Sequence, residues 1–239
     1  MTRRARLEDP RYWPVRETLR ECFRDLVDEP PSVASWNERL RSRALPVSFE
    51  AQPPRGRRQK NPSRSYYQRI VHERVVPSRE ANWHDFFNML VWASFPRTKL
   101  RIHQLELELL EAHLDRPGRT HAEDTLSLLD EGGAVALVDP GAEGVREALA
   151  KEDVGALRVH VARGWLRVAL IGHAVFEHLL GSDEQVFVMI APVEGPIPPS
   201  LAAAVESIDR TLSAALGTTA FSLESKDYGR LGTEALSTL

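Results

Sequence analysis

Between Asn82 and Pro96 the chain reads Asn-Trp-His-Asp-Phe-Phe-Asn-Met-Leu-Val-Trp-Ala-Ser-Phe-Pro, a helix-length segment that is apolar on nearly every side. On a helical wheel Trp83, Phe86, Phe87, Leu90, Val91 and Ser94 share one broad face, and Met89 and Trp92 widen it. A helix this apolar has to be surrounded by the rest of the protein. Only His84, Asp85 and Asn88 interrupt it. His84 and Asn88 stand at i, i+4 and Asp85 and Asn88 at i, i+3, so the three are neighbours. Buried polar groups need partners, because an unsatisfied one costs about 1–3 kcal/mol. Something must face that stripe.

Two readings compete. In the functional one, a substrate or metal ion faces the stripe, with His84 as acid, base or ligand and Asp85 as a carboxylate that ligates or orients. In the structural one, Asn82 caps the helix and Asp85 occupies its third position, an Asn-x-x-Asp variant of the capping box that also suits the helix dipole. His84 and Asn88 then bond neighbouring backbone or helices. The His-Asp doublet alone does not make a metal-dependent phosphohydrolase. That signature needs an upstream histidine and a downstream aspartate on an all-helical scaffold; His72 is too near, and the later chain reads as strands.

The rest of the 239 residues supplies what surrounds this helix. Helical spacing predicts helices over 15–27 and 33–43, with Ser32 as a cap, and a short extended piece at 47–49. Prolines, glycine and charge make 52–63 an exposed basic loop. Helices follow over 65–74, 97–114 and 121–129. Continuous β-branched runs then predict strands over 134–138, 157–161, 166–171 and 185–190, interspersed with helices over 145–150, 173–180 and 201–216. The expected class is α+β: N-terminal and central helices packed with a small, roughly four-stranded mixed sheet in the C-terminal half. One globular domain is expected, with N-terminal helices over 1–46, a main body over 64–218 and a loosely held tail over 219–239.

Pro77-Ser78-Arg79, Asn82 to Asn88, Val91-Trp92, Phe95-Pro96-Arg97-Thr98-Lys99, Leu126-x-x-Leu129-Asp130-Glu131-x-Gly133 and Gly172-His173-Ala174-x-x-Glu177 together form a distinctive set. Over roughly residues 60–190 the chain resembles the bacterial domain-of-unknown-function family numbered 3025. The resemblance implies a bacterial intracellular protein and no particular chemistry. The chain departs from that pattern at Ile102-His103, where Leu-Asn is expected, and at Met89, where Ala is expected.

Elsewhere, His173 and Glu177 lie one helical turn apart at the carboxyl end of a strand-like run. That spacing suits a shared metal or a His-carboxylate pair, and also an ordinary packing contact. Asp130 and Glu131 precede glycines, where acids commonly belong to solvated helix ends, although a metal role fits them as well. His103 reads as a helix-boundary residue. Residues 51–72 carry Arg55, Arg57, Arg58, Lys60, Arg64 and Arg69 with no acid, and Tyr66 and Tyr67 stand beside them. Such a set can grip phosphates and stack bases, or be a solvated loop.

With 31 basic and 34 acidic residues the net charge is -3, which gives no global pull toward nucleic acid or anionic lipid. One cysteine excludes an intrachain disulfide and points to the cytoplasm. Arg3, Arg4 and Arg6 lead into Leu7-Glu8-Asp9 rather than an apolar stretch, so no export leader is expected. The longest nearly uncharged late stretch, 168–176, is too short to span a membrane. No phosphate loop, Gly-x-Ser-x-Gly, His-Glu-x-x-His or Cys-x-x-Cys occurs. The favoured expectation is a hydrolase-like enzyme with catalytic candidates His84, Asp85, Asn88, His173 and Glu177 in one pocket, with a divalent metal ion as candidate cofactor. The alternative is a non-enzymatic module that contacts nucleic acid or an acidic protein through Arg55, Arg57, Arg58, Lys60, Tyr66 and Tyr67.

Overall fold

Residues 83–94 form the helix that the sequence demands, and its neighbours are arranged to cover it. The computed structural model describes residues 3–26, 28–52, 66–112, 118–224 and 228–239. Ahead of the central helix come α1 (Arg3–Arg6), α2 (Trp13–Cys22), α3 (Val33–Arg39), β1 (Ser48–Ala51), a π-helical turn at Arg69–Glu73, and β2 (Val75–Ser78). The central helix is α4 (Trp83–Ser94), and α5 (Pro96–Ala112) follows it after a single residue. Next are α6 (His121–Gly132), β3 (Gly133–Val138), α7 (Val145–Ala150), α8 (Val154–Ala162), β4 (Leu166–Leu170) and α9 (His173–Gly181). The chain closes with β5 (Phe187–Glu194), α10 (Leu201–Ala215), β6 (Gly229–Gly232) and α11 (Thr233–Leu236).

Side-chain caps fix where the helices begin. Ser32, Asn82, Asp153 and Ser200 each accept a hydrogen bond from a backbone N–H in the first turn of α3, α4, α8 and α10, and Thr120 and Glu123 form a reciprocal capping box on α6. Pro96 sits at the start of α5, where its missing N–H costs nothing.

β3 is buried along its whole length at the centre of a four-stranded mixed sheet ordered β4-β3-β5-β6. It runs antiparallel to β4 (Val135 opposite Ala169) and parallel to β5 (Ala134 opposite Ile190). β5 in turn pairs antiparallel with β6, placing Val188 opposite Leu231. β1 and β2 form a separate parallel pair with Phe49 opposite Val76. The protein is α+β.

Phe86, Phe87, Met89, Leu90 and Trp92 are fully buried, and the N-terminal helices reach the same core. Phe23 and Trp36 pack on Phe86, while Tyr12 donates to Phe176 O (2.8 Å) and Trp13 Nε1 to Val168 O (3.0 Å). Burial pushes the Tyr12 hydroxyl far up, so it stays a proton donor.

Two expectations need correction. Residues 157–161 are helical, not extended: Asp153 caps α8 through Ala156 N (3.0 Å), and of the run only Leu157 is buried. The fourth strand is instead β6, inside the segment expected to be a loose tail, where Phe221, Leu231 and Leu236 are buried. The helix expected over 65–74 is present over residues 66–73, its second part a π-helical turn (Arg69–Glu73) that ends in a left-handed residue, Arg74. Arg55, Arg57, Arg58, Lys60 and Arg64 of the basic segment lie outside the described residues. Among the described residues no helix is long and apolar enough to cross a membrane.

Candidate metal centre

Two glycines bring the site together. Ile171 N and Gly172 N both donate to Gly133 O, at 3.1 and 2.8 Å, so the β4–α9 junction lies directly on the α6–β3 junction. A Cβ on Gly172 would stand 2.5 Å from Gly133 N and 2.6 Å from Glu131 O. A Cβ on Gly133 would stand 2.5 Å from Leu129 O. Only glycine permits so close an approach of backbones. The consequence is that the last turn of α6, carrying Asp130 and Glu131, touches the first residue of α9, His173. The opening turn of α4, with Asn82 Oδ1 accepting from Asp85 N (3.0 Å), packs against α9 and turns His84 toward them.

Three donor atoms converge there. His84 Nε2 lies 3.1 Å from His173 Nε2, and Glu131 Oε2 lies 3.3 Å from His173 Nε2 and 3.6 Å from His84 Nε2. A metal ion bonded at about 2.0–2.2 Å to three such donors, at angles between octahedral and tetrahedral, spaces them roughly 2.9–3.6 Å apart. All three edges of this triangle fall in that range.

The opposite ring nitrogens decide the tautomers. His173 Nδ1 lies 2.8 Å from Asp130 O, which can only accept, so Nδ1 carries the hydrogen and the Nε2 of the neutral ring keeps its lone pair. His84 Nδ1 lies 3.1 Å from Glu177 Oε2, a carboxylate oxygen, and must also donate. Both Nε2 atoms therefore face each other and a carboxylate. A proton on one nitrogen serves only one of the three contacts; a cation between the donors serves all of them. Imidazoles held through Nδ1–H by a carbonyl and a carboxylate are also how proteins present Nε2 to metals.

Behind the triangle lies a buried ion pair. Lys99 Nζ donates to Asp130 Oδ1, and Lys99 also sits over the Trp92 ring. Burial opposes the charge on Asp130, but the Lys99 ammonium overcomes it and holds the carboxyl far below its usual range. Burial, then the Lys99 ammonium, bring His173 down to about 3, so its ring is neutral at physiological pH. Burial and the neighbouring Asp130 carboxylate push Glu131 up. Around the triangle stand four carboxylates, Asp85, Asp130, Glu131 and Glu177, against two cations, Lys99 and Arg79. That is the charge deficit a divalent cation balances. The site is open on one side: the side chain of His173 is 3% exposed, but those of His84 and Glu131 are 25% and 46% exposed.

Of the five residues expected in one pocket, the structure brings together His84, His173 and Glu177. Asp85 turns away to Arg79, which donates to it from Nε (3.0 Å) and Nη2 (2.7 Å). Asn88 is buried one turn deeper beside Tyr66, and its Oδ1 has no hydrogen-bond partner among the described residues. Glu131, weighed from the sequence only as one acid of a helix-end pair, completes the triangle; the one local cue is its place two residues before Gly133, which opens a strand. His103 is not a boundary residue but buried in the middle of α5, bonded to Glu106 (2.9 Å). Tyr66 and Tyr67 pack on the His103 ring at 5.9 Å each, and Arg69 pairs with Glu50 and Glu73. A surface cleft of about 750 Å³ lined by Trp13, Arg16, Arg97 and Asp209 lies at the far end of α4 and takes no part in the triangle.

His84 comes from the Trp-His-Asp string, Lys99 from Phe-Pro-Arg-Thr-Lys, Asp130 and Glu131 from Leu-Asp-Glu, and His173 and Glu177 from Gly-His-Ala-x-x-Glu. Segments far apart in the chain thus meet at one point. A family model described as a protein of unknown function, DUF3025, matches residues 55–231. The chain belongs to DUF3025. The matched span holds every residue of the triangle and begins after α3, leaving the N-terminal helices outside it. No curated protein and no solved structure matches the chain. For this DUF3025 protein the chemistry has to be read from the side chains themselves.

Proposed function

We propose that this DUF3025 protein is a metal-dependent hydrolase whose centre is one divalent ion held by His84 Nε2, His173 Nε2 and Glu131 Oε2. The observation that carries the reading is the convergence of two imidazole nitrogens and a carboxylate oxygen within 3.1–3.6 Å, with both other ring nitrogens committed as donors. Two nitrogens and one oxygen suit zinc or another first-row divalent ion better than calcium or magnesium. Three protein ligands leave coordination positions for water and substrate, the pattern of catalytic rather than structural sites. Once bound, such an ion makes water a nucleophile at neutral pH and polarises the bond to be cut.

The chain's own residues divide the remaining work. Asp130 O and Glu177 fix the two imidazoles in the ligating tautomer. Lys99 holds Asp130 in place and neutralises it inside the core. Glu177, outside the ligand set and half-exposed, is the neighbouring carboxylate that can take up a proton. The half-open flank at His84 and Glu131 admits the substrate.

The test is a calorimetric titration of chelator-treated protein with zinc and with manganese, followed by turnover of p-nitrophenyl phosphate and p-nitrophenyl acetate. One ion per chain, and turnover in the loaded protein that chelation or His173→Ala abolishes, is the expected result. Metal binding that is indifferent to His173→Ala, or turnover that survives chelation, overturns the reading.

A further inference from the structure

Arg79 is held by Asp85, the residue after His84, with only part of its bonding capacity used. Its backbone N–H donates to Asp85 Oδ2 (2.5 Å), Nε donates to the same oxygen (3.0 Å), and Nη2 donates to Asp85 Oδ1 (2.7 Å). Asp85 directly follows His84, and its side chain is largely buried, so the carboxylate clamps the guanidinium from the protein side. Nη1 makes no hydrogen bond among the described residues, and about half of the arginine side chain is exposed. The charges of Glu177 and Glu131 act on the guanidinium, yet among the described residues it pairs with neither.

The pair is bidentate, between a largely buried carboxylate and a half-exposed guanidinium. What the clamp creates is a planar cation fixed in direction, with three N–H donors left over, close enough for the charges of Glu177 and Glu131 to act on it. A guanidinium fixed in this way suits the recognition of an oxyanion through directional, charge-assisted hydrogen bonds. With a divalent ion in place, the surrounding cations and carboxylates balance, so an incoming anion meets no net repulsion.

We propose that Arg79, positioned by Asp85, binds a phosphoryl or carboxylate oxyanion of the substrate beside the metal centre; the inference rests on the metal reading above. It narrows the substrate to an anion whose charged group lies next to the bond that is cut.

The experiment loads wild-type protein and an Arg79→Gln variant with zinc, then titrates each calorimetrically with inorganic phosphate and, in parallel, with acetate. The expected result is that at least one anion binds the loaded wild type and is weakened at least about 10-fold by Arg79→Gln, while zinc affinity stays within about twofold of wild type, because Arg79 is not a ligand. The tighter arm distinguishes phosphoryl from carboxylate recognition. Arg79→Lys, which keeps the charge and loses the planar fork, is expected to bind the anion more weakly than wild type; it carries the same comparison if Arg79→Gln loses its cooperative thermal transition. Equal anion affinity in wild type and both variants, or no anion binding by zinc-loaded wild type, overturns the proposal and leaves the metal reading standing. Failure of wild type to take up zinc at all overturns the metal reading and this inference with it.

Discussion

Two histidine–glutamate pairs lie on neighbouring helices of this protein and share one local chemistry. His84 Nδ1 meets Glu177 at 3.1 Å and His103 Nδ1 meets Glu106 at 2.9 Å. Their second nitrogens have different fates. His84 Nε2 converges with His173 and Glu131 on an open flank. His103 Nε2 is buried without a partner among the described residues, its ring stacked on Trp92 (5.5 Å, 23°) and flanked by Tyr66 and Tyr67, and its Glu106 also accepts from Tyr67 (3.1 Å). The side chains of His103 and Glu106 are 2% and 4% exposed. A histidine–carboxylate pair can serve as a ligand only where the free nitrogen faces further donors and can be reached. Elsewhere the same pair is a polar element of the core.

Lys99 lies between the two pairs, over Trp92 on one side and bonded to Asp130 on the other, so it gives the largest effect. Lys99→Met leaves the Asp130 charge buried without its partner and should lower unfolding free energy by about 3–5 kcal/mol in a urea titration. A loss below about 1 kcal/mol would mean that Asp130 is neutralised by other groups.

Removal of a ligand comes next. His173→Ala or His84→Ala should weaken zinc binding by more than about 100-fold in calorimetry, beyond the 10–100-fold expected for loss of an outer partner. His103→Ala should leave zinc affinity within about twofold, since its pair is closed. Equal losses from His84→Ala and His103→Ala would erase the distinction between the pairs. Glu177→Gln sharpens the comparison further: its outer-partner role predicts a loss of about 10-fold in zinc affinity, while Glu106→Gln predicts none.

The smallest effect is in pH. His173 is held at about 3 in the fold, whereas an exposed histidine titrates near 6.5, so between these values the unfolded chain binds the extra proton. Stability of the metal-free protein therefore rises with pH through this window and is lost on acidification. The contribution is less than about 1 kcal/mol between pH 7 and 6, read as a shift in urea midpoint, and it should disappear in His173→Gln.

Much of this was legible in the sequence, for reasons that differ by element. The central helix and strands β3, β4 and β5 announce themselves through continuous apolar runs. The fourth strand does not. Gly229-Arg230-Leu231-Gly232 has no β-branched residue and is a strand because β5 offers it a partner, while Leu157 to Val161 has strand composition and is claimed by a helix whose cap, Asp153, lies outside the run. In the site, His84 was visible as a polar break in an apolar face, and His173 and Glu177 as a one-turn pair. Glu131 was not selected over Asp130, because which acid faces inward depends on how closely Gly133 and Gly172 approach. That contact joins segments some 40 residues apart and leaves no local pattern. Asp85 looked catalytic because Arg79, six residues earlier, carries no signal that it will claim the carboxylate.

The most direct test of the metal centre is a crystal of the protein grown with zinc, with an anomalous difference map collected at the zinc absorption edge. The structure predicts one strong peak per chain, about 2.0–2.2 Å from His84 Nε2, His173 Nε2 and a Glu131 carboxylate oxygen, with both imidazoles still bonded through Nδ1 to Glu177 and Asp130 O. A fully loaded crystal whose only peaks lie elsewhere, with the two imidazoles bonded to each other, would contradict it.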